Sequence, residues 1–453
     1  MKKIKENSSN FFNGMNVLLT NASAPVFSPF STDEKRPPLG LGFLISVLKK
    51  AGHNVFFIDN YLNPSDFLKT DYLNKNKIDY IGFSINTVCL NEALKTLNQI
   101  QELREKGRWR GKIIVGGPHT SVGLKTIPDF VDYIVQGEGE QAILDILDNK
   151  TERIVKQERC QKLDSLPFPS WDYFVNLPYD FTVEWFTQAP VFTMNTSRGC
   201  PFNCAFCSVS SIWGVKYFSF SAERIIKEIE CLIKNYQVKG IYFREDNFTF
   251  NKSRVRKVCQ LLLDKKINIK WACETRVDTL DKELIKLMKK AGCQGFYIGV
   301  ESGSQRMLDF LGKKINLKQI KRLFQWTREI GLKTYASFMV GLPTETSEEL
   351  QQTLDFSQEI KPDSAGFNIF VDIPESKMYH YVIDNNLYEY IDERGLVYLK
   401  GHDKLVDRFY CGDIKTKIPR RKPTEKEKKI YFANLYLKQG MNYLMQKKAF
   451  KGF

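Results

Sequence analysis

The chain predicts an α/β protein: a doubly wound parallel sheet, then an open partial (β/α)6 barrel, then a small C-terminal region. Two alternating patterns and one motif predict it. Between Asn16 and about Lys150 short apolar runs alternate with helical stretches, and from Val191 to about Asp372 a strand-then-helix unit recurs six times, with no helix assigned to the last. Such alternation is how parallel sheets with covering helices are written in sequence. The motif is Ser197-Arg198-Gly199-Cys200-Pro201-Phe202-Asn203-Cys204-Ala205-Phe206-Cys207, placed directly after the first strand of the second region.

In the first region the expected strands are Asn16 to Leu19, Val55 to Ile58, Tyr80 to Phe83, Ile113 to Gly116 and Tyr133 to Val135, with helices such as Leu41 to Ala51 and Asn91 to Glu105. Ligands of doubly wound sheets sit at the carboxyl ends of the strands. Turns rich in glycine and small polar residues fall there: Pro38-Leu39-Gly40-Leu41-Gly42, Ser84-Ile85-Asn86-Thr87, Gly116-Gly117-Pro118-His119-Thr120 and Gly137-Glu138-Gly139-Glu140. Glycine lets a ligand approach the backbone closely.

The stretch from Thr151 to Pro190, with its Leu166-Pro167-Phe168-Pro169 and Leu177-Pro178, reads as a linker whose prolines fix its path. The barrel strands are expected at Val191 to Asn195, Gly240 to Arg244, Ile269 to Glu274, Gly295 to Val300, Lys333 to Val340 and Ser364 to Phe370. Helices are expected between them at about Ala222 to Asn235, Lys252 to Asp264, Lys282 to Ala291, Asn316 to Ile330 and Ser347 to Ile360. The domain limits follow as 1–150, a linker over 151–190, a core over 191–373 and a C-terminal region over 374–453. In that last region Tyr379, His380, Tyr381, Tyr388 and Tyr390 crowd together and Tyr431 to Tyr443 reads as a terminal helix; most of these read as packing, the alternative being that they shape the substrate pocket.

At 453 residues, 43% hydrophobic and 26% charged, the composition is that of a soluble globular protein of two or three domains. No apolar run approaches the ~20 residues a bilayer span needs, and the first residues lack an apolar signal core, so a cytoplasmic location is expected. The ten cysteines are unevenly spaced, which fits a reducing compartment better than a disulfide framework. The net charge of +15 is spread as lysine over helix faces, so nucleic acid is not the expected partner; its densest run, Lys415 to Lys429, contains Pro419-Arg420-Arg421-Lys422-Pro423 and reads as a surface connection.

Cys200, Cys204 and Cys207 are the candidate metal ligands. Iron-sulfur clusters ordinarily take four thiolates, and the next cysteine, Cys231, is 24 positions further on in a predicted amphipathic helix. Three thiolates would hold a 4Fe-4S cluster with one iron open to a small ligand, the logic that separates catalytic from closed metal sites. Zinc would want a second Cys or His pair, which is not found nearby. Flanking Gly199, Pro201 and Asn203 suit an exposed loop.

This Cys-x3-Cys-x-Phe-Cys spacing closely resembles that of the radical S-adenosylmethionine (radical SAM) enzymes. The resemblance implies that the open iron chelates SAM and that reductive cleavage yields a 5'-deoxyadenosyl radical, with Phe206 inside the motif. Polar strand ends supply the expected SAM contacts: Glu245 for the methionyl ammonium, Arg276 for its carboxylate, Glu301 for the ribose hydroxyls and the backbone around Gly341 for adenine, with Glu274 at the third strand end. Taken together, the turns bearing Gly40, Ser84, Gly116, Gly117, Gly137 and Glu138 resemble the cobalamin-binding domain that precedes many radical SAM cores. None of the four histidines has an Asp two residues before it, so any cobalamin is expected to bind without a histidine lower ligand; His119 reads as a turn histidine.

The combined resemblance implies a cobalamin-dependent methyltransferase acting on an unactivated carbon, fed by an external low-potential electron donor and acting on a small-molecule or natural-product substrate. Alternatives are a radical cyclase or rearrangement enzyme of the same architecture, or a non-catalytic cobalamin- or SAM-binding module. An RNA methylthiotransferase would need N-terminal cluster cysteines, and the first 159 residues contain only Cys89.

Overall fold

The computed structural model describes residues 14–24, 35–62, 66–68 and 71–406. The basic run from Lys415 and the expected helix from Tyr431 lie outside them.

The first sheet has strands β1 Asn16–Asn21, β2 Asn54–Ile58, β3 Tyr80–Ser84, β4 Lys112–Gly116, β5 Tyr133–Gln136 and β6 Ile154–Lys156. They run parallel in the order β2-β1-β3-β4-β5-β6, so the chain reverses its direction of growth at β1. The gap beside such a reversal is where a doubly wound sheet opens to ligands. Alternation along the strands serves two cores. Leu18, Ile81, Ile113 and Val115 pack on one face with the helix Leu90–Glu105, while Val17, Leu19 and Ile114 face the other. Burial on both faces is why these strands read as nearly continuous apolar runs.

β6 corrects the sequence reading, which began the linker at Thr151. Ile154 pairs with Ile134 and Lys156 with Gln136, so the sheet extends past that boundary. Its pattern of exposed, buried, exposed over three residues is too short for alternation to announce it. The rest of the presumed linker is itself packed. Trp171 stacks on Phe192 with ring centroids 4.3 Å apart, Phe174 meets Phe57 at 5.3 Å, and Ser170 N–H donates to the Gly42 carbonyl at 3.1 Å. These aromatics fuse the core of the first sheet to that of the second, in one apolar cluster that also holds Phe43, Ile143 and Phe220.

The second sheet begins with β7 Val191–Met194, after which β8 Ser197–Arg198 pairs antiparallel with β9 Phe218–Ser219. It continues with β10 Gly240–Phe243, β11 Lys270–Thr275, β12 Cys293–Glu301, β13 Lys333–Val340 and β14 Ser364–Ile369. The order β14-β13-β12-β11-β10-β7 is sequential and parallel, an open partial barrel. Caps set where its helices start. Ser221, Asn251 and Asp281 accept from backbone N–H groups three residues on, and Asn316 with Gln319 and Thr346 with Glu349 form capping boxes.

No helix of the last barrel unit follows β14 directly. Instead β15 Val371–Asp372, β16 Tyr388–Ile391 and β17 Val397–Leu399 form a small antiparallel sheet with the helix Lys377–Asp384 between β15 and β16. Tyr390 stacks on Tyr398 at 4.5 Å and Tyr381 meets Phe310 edge-on at 5.3 Å. Among the described residues no helix is long and apolar enough to cross a membrane.

Candidate active site

Both sheets direct their carboxyl ends at one cavity of about 510 Å³. The first sheet contributes Gly40, Ser84, Gly116, Gly117, Gly137 and Glu138; the barrel contributes Asn195, Arg244, Glu245, Asp246 and Glu274. Gly117 has φ +98°, and a Cβ there would lie 2.6 Å from the Ile85 carbonyl oxygen, so only glycine lets the turn close against its neighbour. A Cβ at Gly40 would meet nothing within 4 Å, which leaves the helix start open to the cavity.

The cysteine loop is tied down at its base. The Glu245 carboxylate accepts from the Thr196 and Ser197 N–H groups, the latter at 2.7 Å, and pairs with Arg254 at 3.2 Å. Asp246 accepts from Gly199 N–H at 3.1 Å. Gly199, at φ +80°, passes so close to the Lys216 carbonyl that a Cβ would lie 2.4 Å from it. The antiparallel pair β8–β9 thus pinches the loop shut behind Cys200, Cys204 and Cys207.

Cys204 is buried and the other two cysteines are half-buried. Burial pushes the Cys207 thiol up to about 12 and raises Cys200 as well, so these thiols keep their protons until a metal displaces them. Arg276 Nη1 lies 3.2 Å from Cys204 Sγ. Among the described residues no group of three or more His, Cys, Asp or Glu is placed to hold a single metal ion. Three thiols on one short loop suit a cluster, in which each thiolate takes a different iron.

Several of the residues expected at SAM have partners within the chain. Glu245 accepts at the loop base. Arg276 grips Asp278 at 3.0 and 3.2 Å, donates to the Lys313 carbonyl at 2.6 Å and lies 3.8 Å over the Phe202 ring. Glu301, at φ +73°, pairs with Lys313, and Gly341 N–H donates to Glu345 at 2.6 Å. Phe206 packs into the apolar cluster of Met307, Leu311 and Leu342. Glu274 does line the cavity; burial raises its carboxyl, and one oxygen accepts from Tyr242 at 2.7 Å.

His119 is only 1% exposed, and burial lowers its imidazole to about 4. Its nitrogens meet Thr87 Oγ1 at 3.1 Å and Thr126 Oγ1 at 2.8 Å, which leaves neither for a metal. Sequence reasoning missed Arg159, which bonds Glu138 at 2.8 Å and the Trp213 and Arg198 carbonyls at 2.7 and 3.0 Å. No local pattern marks it, since its partners come from both domains.

Three cysteines on the loop after the first strand of an open parallel barrel, next to a doubly wound sheet with glycine turns, define a cluster-binding barrel joined to a second ligand-binding domain. The Radical SAM superfamily model matches residues 194–357, and the B12 binding domain model matches residues 31–147. An uncharacterized methyltransferase of Pyrococcus horikoshii is 31% identical over 378 residues, 78% of this chain and 79% of that protein. The anaerobic magnesium-protoporphyrin IX monomethyl ester cyclase of Rubrivivax gelatinosus is 26% identical over 383 residues, 77% of this chain and 66% of that one. The cobalamin-dependent radical enzyme OxsB, solved with aqua-cobalamin and SAM bound, shares the fold with TM-score 0.73 at 20% identity, over 97% of this chain and 72% of that one. This chain belongs to the radical SAM family with an N-terminal cobalamin-binding domain. It is therefore an enzyme whose cofactors are a 4Fe-4S cluster, SAM and cobalamin.

Proposed function

We propose that this enzyme transfers a methyl group to an unactivated carbon of a small-molecule or natural-product substrate. The observation that carries the reading is the shared cavity, which brings the glycine turns of one sheet within reach of the strand ends that hold the cysteine loop. A cluster held by Cys200, Cys204 and Cys207 beside this cavity, together with SAM, would supply hydrogen-atom abstraction, and cobalamin would supply the methyl group.

The chain's own residues do the positioning. Cys200, Cys204 and Cys207 hold the cluster, Arg276 donates to the Cys204 sulfur, and Glu245 with Asp246 keeps the loop base in register. Glu274 and Arg244, ion-paired with each other at 4.0 Å and with side chains 36% and 40% exposed at the cavity, are further charged groups for the polar end of SAM beside Glu245 and Arg276. Gly40, Ser84, Gly116, Gly117 and Gly137 would bring backbone against a corrinoid, and Leu39, Phe43 and Trp213 would exclude water. Electrons come from an external low-potential donor.

The test is anaerobic expression with cobalamin, iron and cobalt quantitation, then incubation of candidate substrates with SAM and reductant. Cobalt and iron together, with a product heavier by one methylene, support methyl transfer. Iron without cobalt after reconstitution sinks it. The Rubrivivax cyclase relative favours a second reading, ring formation, which adds no carbon and which the product mass separates.

A further inference from the structure

Two glutamates of the first domain and two arginines beside the cysteine loop form one buried ionic cluster at the wall of the cavity. Arg198, the residue before Gly199-Cys200, pairs with Glu138 at 2.9 Å and Glu140 at 2.5 Å. Arg159 pairs with the other oxygen of Glu138 at 2.8 Å, and Cys160 N–H donates to the same carboxylate at 2.9 Å. The four side chains are between 3% and 15% exposed.

Arg159 reaches both ends of the cysteine loop. Its guanidinium donates to the Arg198 carbonyl, just before the loop, and to the Trp213 carbonyl, just after it, at 3.0 and 2.7 Å. It also lies 5.1 Å over the Trp213 ring. One side chain therefore joins both ends of the cysteine loop to Glu138. Glu138 in turn sits in the turn Gly137-Glu138-Gly139-Glu140, all four residues of which line the cavity along with Arg198 and Trp213.

We propose that Glu138, Arg159 and Arg198 are positioning residues that make the two cofactors bind cooperatively: ordering the cobalamin-side turn orders the cluster loop, and the reverse. The physical reason is that a second ligand costs less to bind when the first has already fixed the groups they share. The coupling is reciprocal, so the cluster tightens cobalamin binding by the factor by which cobalamin tightens cluster retention. Neutralising Glu138 removes the shared anchor, leaving Arg159 without its carboxylate and Arg198 with Glu140 alone. The inference rests on the cavity being the cobalamin site.

The experiment is anaerobic titration of hydroxocobalamin into the full chain, with the cluster reconstituted and after its removal by chelation, in wild type, Glu138→Gln and Glu138→Asp. In wild type the reconstituted form is expected to bind about 5- to 150-fold tighter. In Glu138→Gln that ratio falls towards one while both cofactors still bind, and Glu138→Asp restores part of it. A residue with a merely structural role would weaken both affinities and leave their ratio intact. Should Glu138→Gln fail to fold, Arg159→Lys, which keeps the charge but loses the planar fork, carries the same test. Equal wild-type affinities with and without the cluster, or an unchanged ratio in the variant, overturn the coupling alone. Absence of hydroxocobalamin binding in both forms overturns the cofactor assignment and the coupling with it.

Discussion

The guanidinium of Arg276 donates to the sulfur of Cys204 at 3.2 Å while Asp278 and the Lys313 carbonyl hold its other nitrogens. The residue expected at the methionyl carboxylate of SAM thus also reaches one of the three candidate cluster cysteines.

Hydrogen bonds to cluster sulfurs and nearby positive charge stabilise the reduced form. Arg276→Gln is therefore expected to shift the cluster to a more negative reduction potential and to slow reductive cleavage of SAM at fixed reductant. A spectroscopically monitored redox titration checks it; an unchanged potential would place the arginine's role elsewhere.

Glu245→Gln removes the charge facing Arg254 and sets an amide N–H₂ among backbone donors at the base of the cysteine loop. Breaking a buried pair on one side costs about 3 to 5 kcal/mol. The expected outcome is a lower denaturant midpoint together with reduced iron content after reconstitution, since Thr196 and Ser197 lead directly into the loop.

His119 titrates near pH 6.5 when unfolded but only near 4 when folded. The unfolded chain binds the extra proton between those values, so stability is complete above pH 6.5 and is lost as pH falls towards 4, by about 3 kcal/mol in all. Glu345 and Asp372, whose carboxyls burial pushes up to about 7, slope the opposite way. The measurement is accordingly the difference in unfolding free energy between wild type and His119→Gln at pH 7 and pH 4.5. A constant difference would contradict the neutral, buried imidazole.

Gly40→Leu adds a side chain whose Cβ meets no protein atom within 4 Å at the cavity, at a helix position where leucine is favoured over glycine by roughly 0.5–1 kcal/mol. It is expected to abolish cobalt retention with no loss of thermal stability. Gly117→Ala, forced into φ +98° against Ile85, is expected to lose about 1–3 kcal/mol as well as cobalamin. Cobalt content beside a melting curve separates the two effects.

Most of the architecture was legible because it is written locally. Lys333–Val340, Lys252–Asp264 and Ser347–Ile360 fall at their expected limits, as apolar period and capping residues dictate both ends. The elements misread are those whose order comes from distant partners. Ile154–Lys156 becomes a strand only by pairing with Tyr133–Gln136, and the proline-rich stretch around Trp171 is a seam because Phe57 and Phe192 flank it.

By itself the sequence determined that two parallel sheets form, that a three-cysteine loop follows the first barrel strand, and that glycine turns open at the ends of the other sheet. These rest on spacing and on the short-range chemistry of single residue types. Only the tertiary structure decided which partner each charged side chain takes. Glu245 turns to Arg254, Arg276 to Cys204 and Asp278, Glu301 to Lys313, and Glu138 to Arg159 and Arg198. A buried charge is satisfied by whichever opposite charge or dipole the fold brings within about 3 Å, and that neighbour need not lie nearby in the chain.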